Sequence, residues 1–188
     1  MASLPTPYIS LQEYIEGEEC SEVLHEYYRG EVFPMEATTL RHHDIAGEIY
    51  TALKIQLQDK PCRVRFHGAR VCTGSDGLYA YPDIVVVCGK TQGSRDDPNT
   101  IANPKVIVEV LSPSTKDYDR GTKFELFTCN PSLTEYVAVH QDQLLIEHRI
   151  KQPDGSWLLR FIRGMESTLK LETLPVSIPF SVIYPPAD

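Results

Sequence analysis

Two runs in this chain are apolar almost without interruption, and each carries a carboxylate. They read Tyr81-Pro82-Asp83-Ile84-Val85-Val86-Val87-Cys88 and Lys105-Val106-Ile107-Val108-Glu109-Val110-Leu111. Continuous β-branched runs of this length, bounded by turn formers, predict strands buried on both faces of a sheet. An unpaired carboxylate in such surroundings costs several kcal/mol, so Asp83 and Glu109 each require a partner. A shared divalent cation serves both, because a hard ion takes oxygen ligands and offsets their desolvation.

The rest of the pattern is mixed helix and strand. Ser10 followed by Glu13 is a capping-box signature and predicts a short helix over about residues 11–17. The segment 23–29 turns at Gly30 into 31–35, a hairpin of short strands. From about 40 to 58, Ile45, Ile49, Leu53 and Leu57 recur every four positions, with Ala46 and Tyr50 beside them, which predicts the longest helix, one face against a sheet. Strands are expected at about 62–67, 70–73, 82–88 and 105–111, with a surface loop from Gly89 to Asn103. After Ser112-Pro113-Ser114-Thr115, an N-cap Ser or Thr starts a second helix that runs to about Cys129. Alternating segments at 134–139, 143–150, 156–163 and 176–184 predict antiparallel strands that extend the sheet. The expected fold class is α/β, as a single domain over residues 1–188.

Composition narrows the setting. The chain has 188 residues, 41% of them hydrophobic, enough for one substantial core. No stretch approaches a membrane span of about 20 apolar residues, and Met1 to Pro7 lack the basic flank and apolar core of a signal peptide. A cytoplasmic location is therefore expected. Five cysteines, odd in number and without a Cys-x-x-Cys, read as reduced and mostly buried. A net charge of −8 argues against indiscriminate attraction to nucleic acid. Lys60, Arg63, Arg65 and Arg70 still cluster within eleven residues, either as a solvated strand face or as a phosphate-facing one.

Chemistry fits onto this frame. Side chains alternate along a strand, so Glu109 shares a face with Ile107 and Leu111, and Asp83 with Val85 and Val87. Mg²⁺ or Mn²⁺ held by the two carboxylates, a backbone carbonyl and waters would activate water and neutralise charge on a phosphodiester. A lysine beside the ion suits the task of orienting or deprotonating that water. Lys123, one turn beyond Asp119 and Arg120, projects back toward the acids from the helix after Glu109's strand. Bland readings stand beside these: a turn residue at Asp83, a structural salt bridge at Glu109, and a solvated Lys123 paired with Asp119.

Together the residues resemble the PD-(D/E)XK nuclease superfamily, and more closely the Uma-two family of restriction-endonuclease-like proteins. The likeness rests on His25-Glu26-Tyr27 with Gly30-Glu31 and Met35, His43-Asp44-Ile45-Ala46, Tyr81-Pro82-Asp83, Glu109 to Thr115, Asp119-Arg120-Gly121-Thr122-Lys123, and Leu133 to Val137. It implies a restriction-endonuclease-like mixed central β-sheet flanked by helices, with extra antiparallel strands. It also implies metal binding by Asp83 and Glu109, a catalytic role for Lys123, and DNA as partner, with a homodimer by analogy. The position two after Glu109 is Leu111 where the superfamily's simplest pattern has lysine, so the lysine has moved to the following helix, and Lys116 is the competitor there. Glu26 and His43 match further family positions as additional cleft residues, while Glu36 and His42 have less support. Two alternatives to a nuclease stay open: a catalytically silent binding module and a structural Asp/Glu/Lys ion network.

Overall fold

The two apolar runs become neighbouring strands at the centre of a mixed sheet in the computed structural model, which describes residues 7–74, 77–112 and 116–186. Helix α1 (Leu11–Cys20) begins with the expected capping box: the Ser10 hydroxyl accepts the Glu13 amide, and the Glu13 carboxylate accepts the Ser10 N–H at 2.8 Å. Strands β1 (His25–Tyr28) and β2 (Glu31–Pro34) form a hairpin. Its turn residues Arg29 and Gly30 both have positive φ, the twist that a two-residue hairpin loop requires. Helix α2 (Leu40–Gln56) is capped by Thr39, whose side chain accepts the His42 N–H at 3.1 Å.

Strands β3 (Cys62–Phe66), β4 (Val71–Cys72), β5 (Leu78–Ala80), β6 (Ile84–Cys88) and β7 (Val106–Leu111) follow. Short helices α3 (Lys116–Arg120) and α4 (Thr122–Thr128) come next, then strands β8 (Glu135–His140), β9 (Leu145–Lys151), β10 (Trp157–Arg163), β11 (Thr168–Lys170) and β12 (Ser177–Pro179), and helix α5 (Phe180–Ile183). The main sheet has the order β10-β9-β8-β7-β6-β3. Its β7–β8 pair is parallel and its other neighbours are antiparallel. Among the described residues no helix is long and apolar enough to cross a membrane.

Alternation along these strands builds two cores. Ile84, Val86, Val108, Val110 and Val137 meet Ile45, Ile49 and Leu53 of α2, and the β11–β12 pair and α5 complete that layer. On the opposite face Val85, Ile107, Tyr136 and Ala138 meet Phe127 of α4 and Leu78 and Ala80 of β5. A second sheet, ordered β2-β1-β5-β4, stands on this side. Glu109 falls on this second face by strand alternation, so the charged centre is enclosed between the main sheet and the smaller one.

Several expectations are corrected. The helix expected to run from 116 to 129 is broken at Gly121, whose ψ of −99° leaves the helical region and separates α3 from α4. The Ser or Thr cap expected at 114–115 lies outside the described residues. The strand expected at 176–184 stops at Pro179, which caps α5, and pairs with β11 rather than extending the main sheet. The surface loop 89–103 is anchored: Asp97, Thr100 and Ile101 are buried, and Ile101 bridges to Val71 and Gly93. Arg70 is not a free basic group, since its guanidinium meets Asp97 at 2.6 Å. The cysteines are not all reduced. Cys62 and Cys88 are disulfide-bonded, because antiparallel pairing of β3 with β6 sets them directly opposite one another. Of the three free thiols Cys72 is buried, while Cys20 and Cys129 are exposed.

Glu135, at the start of β8, pins the loop after β11 to the main sheet. It accepts from His148 Nε2 at 2.6 Å and from the Glu172 and Thr173 amides at 3.0 and 2.8 Å. Burial alone would raise its pKa, but these donors outweigh burial and hold it below the usual carboxylate value. A depressed folded pKa gives stability that is complete above the unfolded value and lost as pH falls through the folded one. Glu135→Gln, which weakens several hydrogen bonds made to a charged acceptor, is therefore expected to be about 2 kcal/mol less stable than the parent at pH 7. Urea denaturation as a function of pH should show its gap from the parent protein narrowing below about pH 4.

Candidate active site

The register of β6 against β7 brings the two principal acids together. Ile84 pairs with Val108, so one step further along the strands Asp83 stands opposite Glu109. Two hydrogen bonds tie the pair: the Asp83 N–H donates to Glu109 Oε2 at 3.4 Å, and the Val110 N–H donates to Asp83 Oδ2 at 2.7 Å. The remaining Asp83 oxygen, Oδ1, is 2.9 Å from His42 Nε2 at the first turn of α2. Both carboxylate oxygens of Asp83 are thus held, which fixes its plane.

Lys123 reaches the same point from α4. Its Nζ is 2.9 Å from Glu109 Oε1, 2.8 Å from Glu26 Oε1 on β1 and 3.5 Å from Asp119 Oδ1 on α3. The Tyr118 hydroxyl donates to the other Glu26 oxygen at 3.0 Å, and the Tyr118 ring lies 5.9 Å from the ammonium. Lys123 and Glu109 are each only 4% exposed. Burial alone favours the neutral amine, but Glu109, Glu26 and Asp119 outweigh it and raise the Lys123 pKa well above the usual value. Burial pushes Glu109 in the same direction; Lys123 draws it down, Asp119 and Asp83 raise it again, and it ends well above an ordinary carboxyl.

The expected residues therefore separate into groups. Asp83, Glu109, Lys123 and Glu26 share one hollow of about 440 Å³. Lys116 is exposed and does not line it. His43 is also exposed and bonds Thr38 Oγ1 at 2.8 Å, so the imidazole beside Asp83 belongs to His42. The helical period carried that distinction. His42 lies on the stripe of Ile45, Ala46, Ile49 and Leu53, whereas His43 is turned about 100° away from it. Asp119 could be anticipated only through its spacing to Lys123. Tyr118 carried no signal, because its contact with Glu26 joins residues 92 positions apart.

The donor set is compatible with a hard divalent ion. Five acidic residues, Glu26, Glu36, Asp83, Glu109 and Asp119, line the hollow with one lysine, so acids outnumber cations there. The upward push of Asp119 and Asp83 on Glu109 is the electrostatic mark of that excess. Among the described residues no three His, Cys, Asp or Glu side chains form a ready-made metal cage. Mg²⁺ does not require one, since it binds through one or two carboxylates and keeps several waters. Asp83 and Glu109, opposite one another at the β6–β7 pairing, could supply those oxygens.

The architecture is thus a mixed sheet flanked by helices, with Asp83 just before β6 and Glu109 within β7. The structure is similar to that of a "putative nuclease belonging to DUF820 from Anabaena variabilis", with a TM-score of 0.77 at 14% identity, over 94% of this chain and 97% of that one. Residues 11–182 match the Uma2 family, described as "Putative restriction endonuclease". Relatives in Synechocystis sp. include the uncharacterized protein slr1290, 32% identical over 97% of this chain and 94% of its own. Another is the uncharacterized protein sll1609, 24% identical over 94% of this chain and 99% of its own. The chain belongs to the Uma2 family.

The two lysines are expected to separate in a stability measurement. Lys123→Met leaves Glu109 and Glu26 buried without their cation and should cost at least about 3 kcal/mol. Lys116→Met should stay within about 0.5 kcal/mol of the parent, with both read from denaturant midpoints at pH 7.

Proposed function

We propose that this protein is a metal-dependent nuclease that hydrolyses DNA phosphodiester bonds in the hollow formed by Asp83, Glu109 and Lys123. The observation that carries this reading is the convergence of two strand carboxylates and a helix lysine from three separate elements on one point. Membership of the Uma2 family supports it.

Asp83 and Glu109 would supply the anionic oxygens for Mg²⁺ or Mn²⁺. When bound, the ion lowers the pKa of water and neutralises charge on the phosphodiester. His42 and the Val110 N–H hold Asp83 in one orientation, so its carboxylate need not reorganise as the substrate arrives. Lys123, held as an ammonium by Glu109, Glu26 and Asp119, does not take the proton; by releasing its longest contact, 3.5 Å to Asp119, it frees an N–H to orient the attacking water or a phosphate oxygen. Glu26 has one oxygen on Lys123 and the other on Tyr118, and so limits where the ammonium can swing.

A second reading, the buried ion network, is favoured by the low exposure of Lys123 and Glu109. One set of measurements separates the two. With either ion present, the parent protein should cleave DNA, and Glu109→Gln should lower the rate at least about 10³-fold while circular dichroism and melting behaviour remain native. Titration calorimetry should detect a divalent ion in the parent and a weakened site in Asp83→Asn. Absence of ion binding, together with loss of stability as the sole effect of Glu109→Gln, would establish the network reading instead.

A further inference from the structure

The acids that hold Lys123 are buried, and much of the remaining lining of the hollow is of another character. Phe33, Pro34 and Met35, at the end of β2 and just beyond it, form one side, with Tyr118 and Leu126 among the other lining residues. Phe33 is 46% exposed and Tyr118 38%, so both aromatic rings remain accessible beside the ion-pair cluster. Lys123 is the one Lys or Arg among the described residues that line the hollow, and it is already bound to three acids. Glu36 adds a further negative group to the lining.

This lining suits one type of nucleic acid. The bases of a duplex are stacked on one another and offer no free face to a side-chain ring, so the exposed Phe33 and Tyr118 have nothing to stack on there. Unpaired strands are held differently, by bases stacking on aromatic rings. Enzymes whose reacting groups lie inside a pocket reach their target in single strands or in nucleotides turned out of the helix. A volume of about 440 Å³ is within the range of small-ligand pockets and of a size for a single nucleotide.

The geometry points to an unpaired nucleotide as the occupant. Its base stacks in the apolar slot formed by Phe33, Met35, Tyr118 and Leu126, and its phosphate is directed toward Asp83, Glu109 and Lys123. The inference rests on the nuclease reading for the fate of the phosphate and assigns single-stranded or locally unpaired DNA as the substrate class. Phe33 serves as a substrate-positioning residue. It lies on β2 of the small sheet, opposite Glu26 in the pairing with β1, and forms no ion pair itself.

Binding without turnover tests this directly, using the full chain in Ca²⁺ with a single-stranded oligonucleotide that carries one 2-aminopurine, and the same oligonucleotide annealed to its complement. The single strand should bind at least tenfold more tightly, with quenching of the 2-aminopurine fluorescence. Phe33→Ala should weaken that binding about tenfold and relieve the quenching, while Phe33→Trp, which keeps an aromatic face, should preserve both. Equal affinity for the two forms, or a Phe33→Ala protein that binds and quenches like the parent, overturns the proposal. A parallel cleavage assay in Mg²⁺ separates the two failures. Cleavage with preference for duplex removes the single-strand inference and leaves the nuclease, whereas Phe33-dependent single-strand binding without cleavage does the reverse.

Discussion

The ammonium of Lys123 is the interaction around which the rest of this molecule is arranged. It draws together Glu26 from the hairpin sheet, Glu109 from the central sheet and Asp119 from the short helix between them. Removing charges from water is costly, and a pair formed in a low-dielectric interior offsets that cost only when its geometry is good and its remaining lone pairs are satisfied. Here the second oxygen of Glu26 is satisfied by Tyr118, and that of Glu109 by the Asp83 amide. Negative charge still outnumbers positive.

The two sheets divide the work. The main sheet is a rigid floor, because its central strands are buried on both faces by separate cores. The backbone of β7 can therefore hold Glu109 and donate from Val110 to Asp83 at a defined position. The small sheet supplies Glu26 to the charged centre, and its strand β2 ends at the rim of the hollow. The lining combines the buried acids around Lys123 with the aromatic and aliphatic side chains of Phe33, Met35, Tyr118 and Leu126.

Much of the site was legible because burial and charge conflict visibly in sequence. Glu109 between Val108 and Val110 announces a partner, and the four-residue spacing of Asp119 and Lys123 announces a helix face. His42 shows the limit of such reading. Two adjacent histidines differ only in helical phase, and a one-residue choice decides which reaches Asp83 and which reaches solvent beside Thr38. The break at Gly121 was similarly hidden, since a glycine within an otherwise helical pattern is often tolerated at a cost near 1 kcal/mol.

Local order, by contrast, follows from neighbouring residues alone. The Ser10–Glu13 capping box, the Arg29–Gly30 turn, the apolar stripe of α2 and the two buried strands each arise from interactions within a few positions, which the chain specifies by itself. Pairing across distance does not. That Cys62 meets Cys88, that Arg70 meets Asp97 and that Glu26 and Tyr118 share a hydrogen bond depends on strand register and on which sheet each strand joins. Register is set by the summed fit of whole faces, since a slip of one residue exchanges the buried face for the exposed one. The sequence alone determined that Asp83 and Glu109 required partners; only the tertiary structure decided that Glu109 would meet Lys123 and Asp83 would meet His42.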